Sequence, residues 1–141
     1  MDSRPSKPSV LPTPTTLPFW EGLKRGKVLL QFSPSSQRWV FYPRVLAPGT
    51  LADDLEWREV GGGGILYTFA IARYPTAPAW KGDAPQLLGV VELDEGPRLT
   101  TEIVEASPED LRVGMRVRPV FVPAADGDVT MLRFAPDGSR G

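Results

Sequence analysis

The sequence predicts an all-β protein: a small closed barrel of five strands, preceded by a short helix and a few brief strands. Three observations carry this. The stretch from Gly61 to Val104 holds three apolar, β-branched and aromatic runs of strand length, each bounded by turn residues. Two further runs, Arg116 to Val122 and Val129 to Phe134, alternate towards a core on either side of Asp126-Gly127-Asp128. Only two segments carry helix signals, and both are short.

Residues 1–16 place Pro5, Pro8, Pro12 and Pro14 among Ser, Thr and Lys, which reads as a disordered tail with little to bury. Leu17-Pro18-Phe19-Trp20-Glu21-Gly22-Leu23-Lys24-Arg25-Gly26 then predicts a helix. Thr16 can cap it, Pro18 suits its first turn and Gly26 its end, while Phe19, Trp20 and Leu23 give it an apolar face. At about two turns it is marginal alone and must dock. Strands come next over Lys27–Phe32 and Gln37–Tyr42, with Ser33-Pro34-Ser35-Ser36 as a tight knuckle between them and Pro43 to Thr50 as a second knuckle. Leu55 to Val60 alternates as a half-exposed strand should.

The barrel runs begin after Gly61-Gly62-Gly63-Gly64. They are Ile65–Ala72, Leu87–Leu93, Arg98–Val104 after the turn Asp94-Glu95-Gly96-Pro97, and then the last two strands. Ser107-Pro108-Glu109-Asp110-Leu111 starts a helix that Gly114 ends after barely two turns. Three strands, a helix and two strands are the order of the oligonucleotide/oligosaccharide-binding (OB) barrel, which closes its own edges.

Composition narrows the function. The chain has 141 residues, 41% of them apolar and 23% charged, as in one soluble domain. With 16 Lys+Arg against 17 Asp+Glu the net charge is −1, which counts against a nucleic-acid binder. There is no Cys and no His. That excludes cysteine nucleophiles, Ser-His-Asp triads, imidazole acid-base chemistry and thiolate or imidazole zinc sites. Neither a signal peptide nor a membrane span is legible, so a cytoplasmic location is expected.

Several residues invite a chemical reading. The four glycines lack the Gly-Lys-Ser/Thr ending of a phosphate loop and read first as a flexible hinge. The loop Tyr74-Pro75-Thr76-Ala77-Pro78-Ala79-Trp80-Lys81-Gly82-Asp83 joins the first two barrel strands, where such barrels bind ligands. Tyr74 and Trp80, with Arg73 and Lys81, suit a partner surface or an adenine ring; Trp80 folded back on the barrel mouth is the plain alternative. Lys24, Arg25 and Lys27, with Arg44, suit CoA phosphates, or simply complement the helix end. Asp53-Asp54 and Asp94-Glu95 are explained by turns. No nucleophile stands with a base and an orienting group.

Phe19-Trp20-Glu21-Gly22-Leu23, Gly64-x-x-Tyr67-Thr68-Phe69, Ala84-Pro85, Val91-Glu92-Leu93-Asp94-Glu95-Gly96 with Arg98-Leu99, Gly114-Met115-x-Val117 and Arg133-Phe134-x-Pro136 occur here in order. In this the chain resembles a bacterial and archaeal family of the domain-of-unknown-function thirty-five type. That family joins an N-terminal helix and a rubredoxin-like zinc ribbon to an OB-fold barrel. The resemblance runs from about Phe19 to Pro136. It implies a tail over 1–16, a helix and ribbon over 17–60, a barrel over 61–136 and a polar end over 137–141.

The family's ribbon carries two CxxC pairs. The corresponding positions here are Ser33, Ser36, Leu46 and Gly49, so a metal-free ribbon is expected. Structural zinc contributes ~10–16 kcal/mol in isolated finger peptides. Burying a leucine such as Leu46 offers about 1.5–3 kcal/mol, so the ribbon must lean on the barrel, on the helix or on a partner.

For function the resemblance implies a non-catalytic accessory subunit of an acyl-CoA-processing complex. Its implied partner is a thiolase-fold enzyme, in some relatives a MaoC-like hydratase, with a CoA thioester shared rather than a tightly bound cofactor. Contact candidates are then Trp39, Arg44, Arg73, Tyr74, Trp80 and Lys81. The competing readings are a single-stranded nucleic-acid binder, which needs stacking aromatics over a basic groove, and a thioesterase, which lacks its usual residues.

Overall fold

The computed structural model describes residues 12–73, 85–124 and 129–137. Most of the N-terminal tail, the loop that holds Tyr74, Trp80 and Lys81, the turn at 126–128 and most of the polar C-terminal end lie outside the described residues.

Helix α1 spans Leu17–Lys24. It buries Phe19 and Leu23, as the apolar face requires, and Gly26 and Lys27 close its end by donating N–H groups to Leu23 and Gly22. Thr16 does not cap it. The Thr16 backbone is already helical, and its hydroxyl turns back to Thr13, whose own N–H donates to Thr16 Oγ1 at 2.9 Å. The last residues before the helix thus form a hydrogen-bonded turn.

Strands β1 (Val28–Ser33), β2 (Arg38–Val40) and β3 (Glu56–Val60) form a three-stranded antiparallel ribbon in the order β2-β1-β3. The barrel comprises β4 (Gly64–Ala72), β5 (Gln86–Leu93), β6 (Arg98–Glu102), β7 (Arg116–Pro123) and β8 (Thr130–Pro136). Its order is β6-β5-β4-β7-β8. A parallel bridge between Ile103 and Phe134 closes the sheet, and Val104 donates its N–H to Phe134 O at 2.8 Å. This is the OB-fold expected from the strand order.

The expected helix between β6 and β7 is a single 3₁₀ turn, Pro108–Asp110. Its start is as read: the Ser107 N–H and hydroxyl both donate to Asp110 Oδ2, at 2.9 and 3.0 Å. Leu111 then adopts an extended backbone and buries its side chain, which ends the helix before it completes a second turn.

One apolar cluster unites the three parts. Phe19 and Leu23 of α1 and Val28 and Leu30 of β1 share it with Leu66, Val91, Val117 and Phe134 of the barrel. The ribbon therefore leans on both helix and barrel. Of the four glycines, Gly62 and Gly64 mark a packed crossing rather than a loose hinge, while Gly61 stands in open space. A Cβ on Gly64 would stand 2.3 Å from Glu92 O, and one on Gly62, at φ +79°, would meet Val28 at 2.9 Å and Pro119 at 3.0 Å. Among the described residues no helix is long and apolar enough to cross a membrane.

Candidate functional site

The two knuckles of the ribbon are tied by side chains rather than by thiolates. Ser33 is wholly buried, and its hydroxyl donates to Asp54 Oδ1 at 2.8 Å. Asp54 Oδ2 accepts the Ser35 N–H at 2.8 Å. Hydrogen bonds from Ser35, and then from Ser33, hold the Asp54 carboxyl below the usual carboxylate range. The second knuckle hangs on Gln31, also buried: its Nε2 donates to Arg44 O at 2.7 Å and its Oε1 accepts the Arg44 N–H at 2.6 Å.

These positions do not fit zinc. The Ser33 hydroxyl is committed to Asp54, Ser36 offers only a neutral hydroxyl, and Leu46 and the left-handed, exposed Gly49 offer no side-chain lone pair. Among the described residues no group of three or more Asp, Glu, His or Cys gathers where a metal ion would sit.

Aromatic rings join helix and ribbon. Phe19 meets Trp20 at 5.2 Å and Phe41 at 5.7 Å, edge-on in both cases, and Phe41 lies 4.6 Å from Tyr42. Beneath them an apolar groove of about 210 Å³ is walled by Trp20, Tyr42, Leu99 and Met131. On the other side of β2 a cleft of about 440 Å³ opens between ribbon and barrel. Trp39, Arg38, Arg44 and Pro48 line its ribbon side, and Glu95 and Pro97 of the β5–β6 turn its barrel side. Trp39 is braced by Phe32 at 4.9 Å, and the Arg58 guanidinium covers the Phe32 ring at 4.2 Å. Glu95 Oε1 is buried and has no hydrogen-bond partner among the described residues.

Charge is spent unevenly over the molecule. Arg116 grips Asp94 through two bonds of 2.7 and 3.0 Å, which holds the Asp94 carboxyl below its ordinary range. Arg118 pairs with Glu105, Arg98 with Glu92, Arg133 with Glu102 and Arg58 with Glu56. Arg38 and Arg44, both exposed, have no carboxylate partner among the described residues.

The second knuckle and the residues on either side of it also expose apolar side chains. Of the eight large hydrophobic side chains exposed among the described residues, Val45 and Leu46 lie within it and Tyr42 and Leu51 flank it directly. Leu51 is 72% exposed and sits at φ +58°, a left-handed conformation that costs a non-glycine residue roughly 1–2 kcal/mol.

Of the residues expected at the site, Trp39 and Arg44 are brought together in the cleft, and Ser36 lines it with them. Arg73 is exposed just beyond the end of β4, apart from that cleft. Tyr74, Trp80 and Lys81 lie outside the described residues. The sequence gives no sign of Gln31 or Leu51, and it presents Asp54 and Glu95 as turn residues. Asp54 acts on a knuckle 21 residues away, and no local pattern marks such a pair.

Residues 57–122 match the family model described as the C-terminal OB-fold domain of ChsH2. A DUF35 domain-containing scaffold protein of Methanocaldococcus jannaschii is 30% identical over 119 residues, 82% of this chain and 83% of that protein. A probable enoyl-CoA hydratase alpha subunit of Thermomonospora curvata is 29% identical over 119 residues. That match takes in 84% of this chain but spans only 36% of the hydratase subunit's length. Among solved structures, a chain of the Ltp2-ChsH2(DUF35) aldolase superposes with a TM-score of 0.78 at 26% identity, covering 92% of this chain and 98% of that one.

Proposed function

This chain belongs to the DUF35 family, and from that premise we propose that it is a cytoplasmic, non-catalytic accessory subunit of an acyl-CoA-processing complex. Its partner is a thiolase-fold enzyme: a thiolase, a lyase or an acyltransferase. The near end-to-end likeness to a chain of the Ltp2-ChsH2(DUF35) aldolase supports this, as do relatives called scaffold proteins. Kinship with hydratase alpha subunits supports a second association, with a MaoC-like hydratase, in some assemblies.

The observation that carries the reading is the cleft between ribbon and barrel. It joins an aromatic wall, Trp39, to two unspent cations, Arg38 and Arg44, and to an acceptor, Glu95 Oε1, that lacks a donor among the described residues. Such a surface binds; among the described residues it has no nucleophile–base pair with which to react. In the assembled complex Trp39 suits the face of an adenine ring and Arg38 beside it suits a phosphate, so that the chain helps hold the nucleotide end of a thioester whose acyl end lies in the partner.

Native mass spectrometry of the tagged protein purified from its own cells tests this. The expected result is a stoichiometric thiolase-fold subunit, with no turnover of acyl-CoA by the chain alone. A lone monomer that hydrolyses acyl-CoA would overturn the proposal.

A further inference from the structure

We infer that the tip of the second knuckle, formed by Val45 and Leu46 with the adjoining Leu51 and flanked by Arg44, is the ribbon's docking knob for an apolar recess rimmed by carboxylates on the partner enzyme. This rests on the accessory-subunit reading above and assigns the contact within it.

The knuckle does not need these side chains for its own fold. Ala47, almost fully buried, anchors it, and it is closed by Leu51 N–H to Ala47 O at 2.8 Å and Ala47 N–H to Ala52 O at 2.9 Å. Gln31 fixes its base through both backbone groups of Arg44. The three aliphatic side chains are therefore presented by a frame that is already made, which lowers the ordering cost of docking.

Their exposure points outward. Val45 and Leu51 are 71% and 72% exposed, so they stand clear of the surface and do not wall a cavity that could hold an acyl chain. Leu51 is the most telling. It combines an unfavourable left-handed backbone with a side chain given to water, where glycine or asparagine would relieve both costs. Strain kept at an exposed leucine is accounted for by a contact that the isolated chain does not make.

Charge specifies the rim. Arg58, Arg98, Arg116, Arg118 and Arg133 are paired with carboxylates of their own chain, whereas Arg44 on the knuckle has no such partner among the described residues. A recess with acidic side chains at its edge completes both the apolar and the charged part of the surface.

The test uses the full chain and the thiolase-fold subunit recovered with it. Leu51→Gly, the pair Val45→Asp with Leu51→Asp, and a barrel control, Leu88→Asp, are compared by titration calorimetry and thermal melting. Leu51→Gly is expected to weaken binding about ten-fold with an unchanged or slightly raised Tm, a hot-spot effect that a structural role would not produce. The double variant is expected to abolish binding, Leu88→Asp to leave it intact, and residues 42–51 to gain hydrogen-exchange protection in the complex. Unchanged affinity in both tip variants overturns the inference while leaving the accessory role standing. Loss of self-association instead, seen by sedimentation, reassigns the knob to a contact between copies. If no thiolase-fold subunit accompanies even the wild type, the functional reading itself fails, and the inference with it.

Discussion

Asp54 takes the Ser33 hydroxyl at 2.8 Å, which ties the first knuckle of the ribbon to the segment before β3. A carboxylate that accepts from two residues of one knuckle crosslinks the ribbon without a metal, as the Gln31–Arg44 pair does for the other knuckle. The expected outcome is that chelators leave the melting curve unmoved, while Asp54→Asn and Ser33→Ala each speed amide exchange in residues 33–37 several-fold and leave the barrel as it was. Exchange that accelerates equally in β4 and β5 would show that the clamp is not local.

The same carboxylate makes the ribbon acid-sensitive. Asp54, Asp94 and Asp110 are all held below their ordinary range, by Ser35 and Ser33, by Arg116 and by Ser107 respectively. A carboxyl with a lowered folded pKa contributes stability that is fully present above its unfolded value, about 3.9, and is lost as pH falls through the folded value. Stability is therefore flat through neutrality and declines below about pH 4. Asp54→Asn should remove the ribbon's share of that decline, which amide exchange tracked across pH 2.5–5.5 (roughly the carboxylate range) would read.

Much of this architecture was legible from the chain. Strand β5 announces itself because one face is buried, so Leu87, Gly89, Val91 and Leu93 fall at every second position. The late helix was overread because a good cap starts a turn without extending it: Leu111 gains more by entering the core than by prolonging the helix. The clamp was hidden because Ser33 and Asp54 look like turn residues until folding brings them together. Leu51 was hidden for the opposite reason, since an exposed leucine and a core leucine are the same letter. Trp39 and Arg44 were readable as candidates, but their meeting with Glu95 depends on how ribbon and barrel pack.

That packing predicts one cooperative unit. Leu23 touches a cluster shared by helix, ribbon and barrel and is 1% exposed. Leu23→Ala should cost about 2–5 kcal/mol. Because the cluster is continuous, ribbon and barrel probes should still melt together, whereas two separated transitions would mean that the parts are independently stable.

Gly64 predicts a sharper failure. Its α-carbon lies against Glu92 of the neighbouring strand, and an added methyl would stand 2.3 Å from that residue's carbonyl oxygen, a backbone atom that cannot swing aside. Gly64→Ala should therefore cost at least the ~1–3 kcal/mol of core overpacking and loosen the start of β4 where it pairs with both β5 and β7. Gly61→Ala, whose methyl meets nothing within 4 Å, is the matched control and should melt near the wild type.

The barrel face argues against nucleic acid, and this too can be tested. A bulge at Leu66/Thr68 turns Tyr67 outward, the kind of exposed ring on which a base would stack. Here the Arg98 guanidinium already lies over that ring at 3.8 Å, and Glu92 holds Arg98 in place at 2.8 Å. The ring face is occupied and the cation neutralised, so neither half of a stacking platform is available. Single-stranded DNA should give no mobility shift with the wild type, even at low salt. Arg98→Ala bares the ring but removes a positive charge, and is expected to bind no better. A shift with the wild type that weakens steeply as salt rises would show that the barrel uses this face for nucleic acid after all.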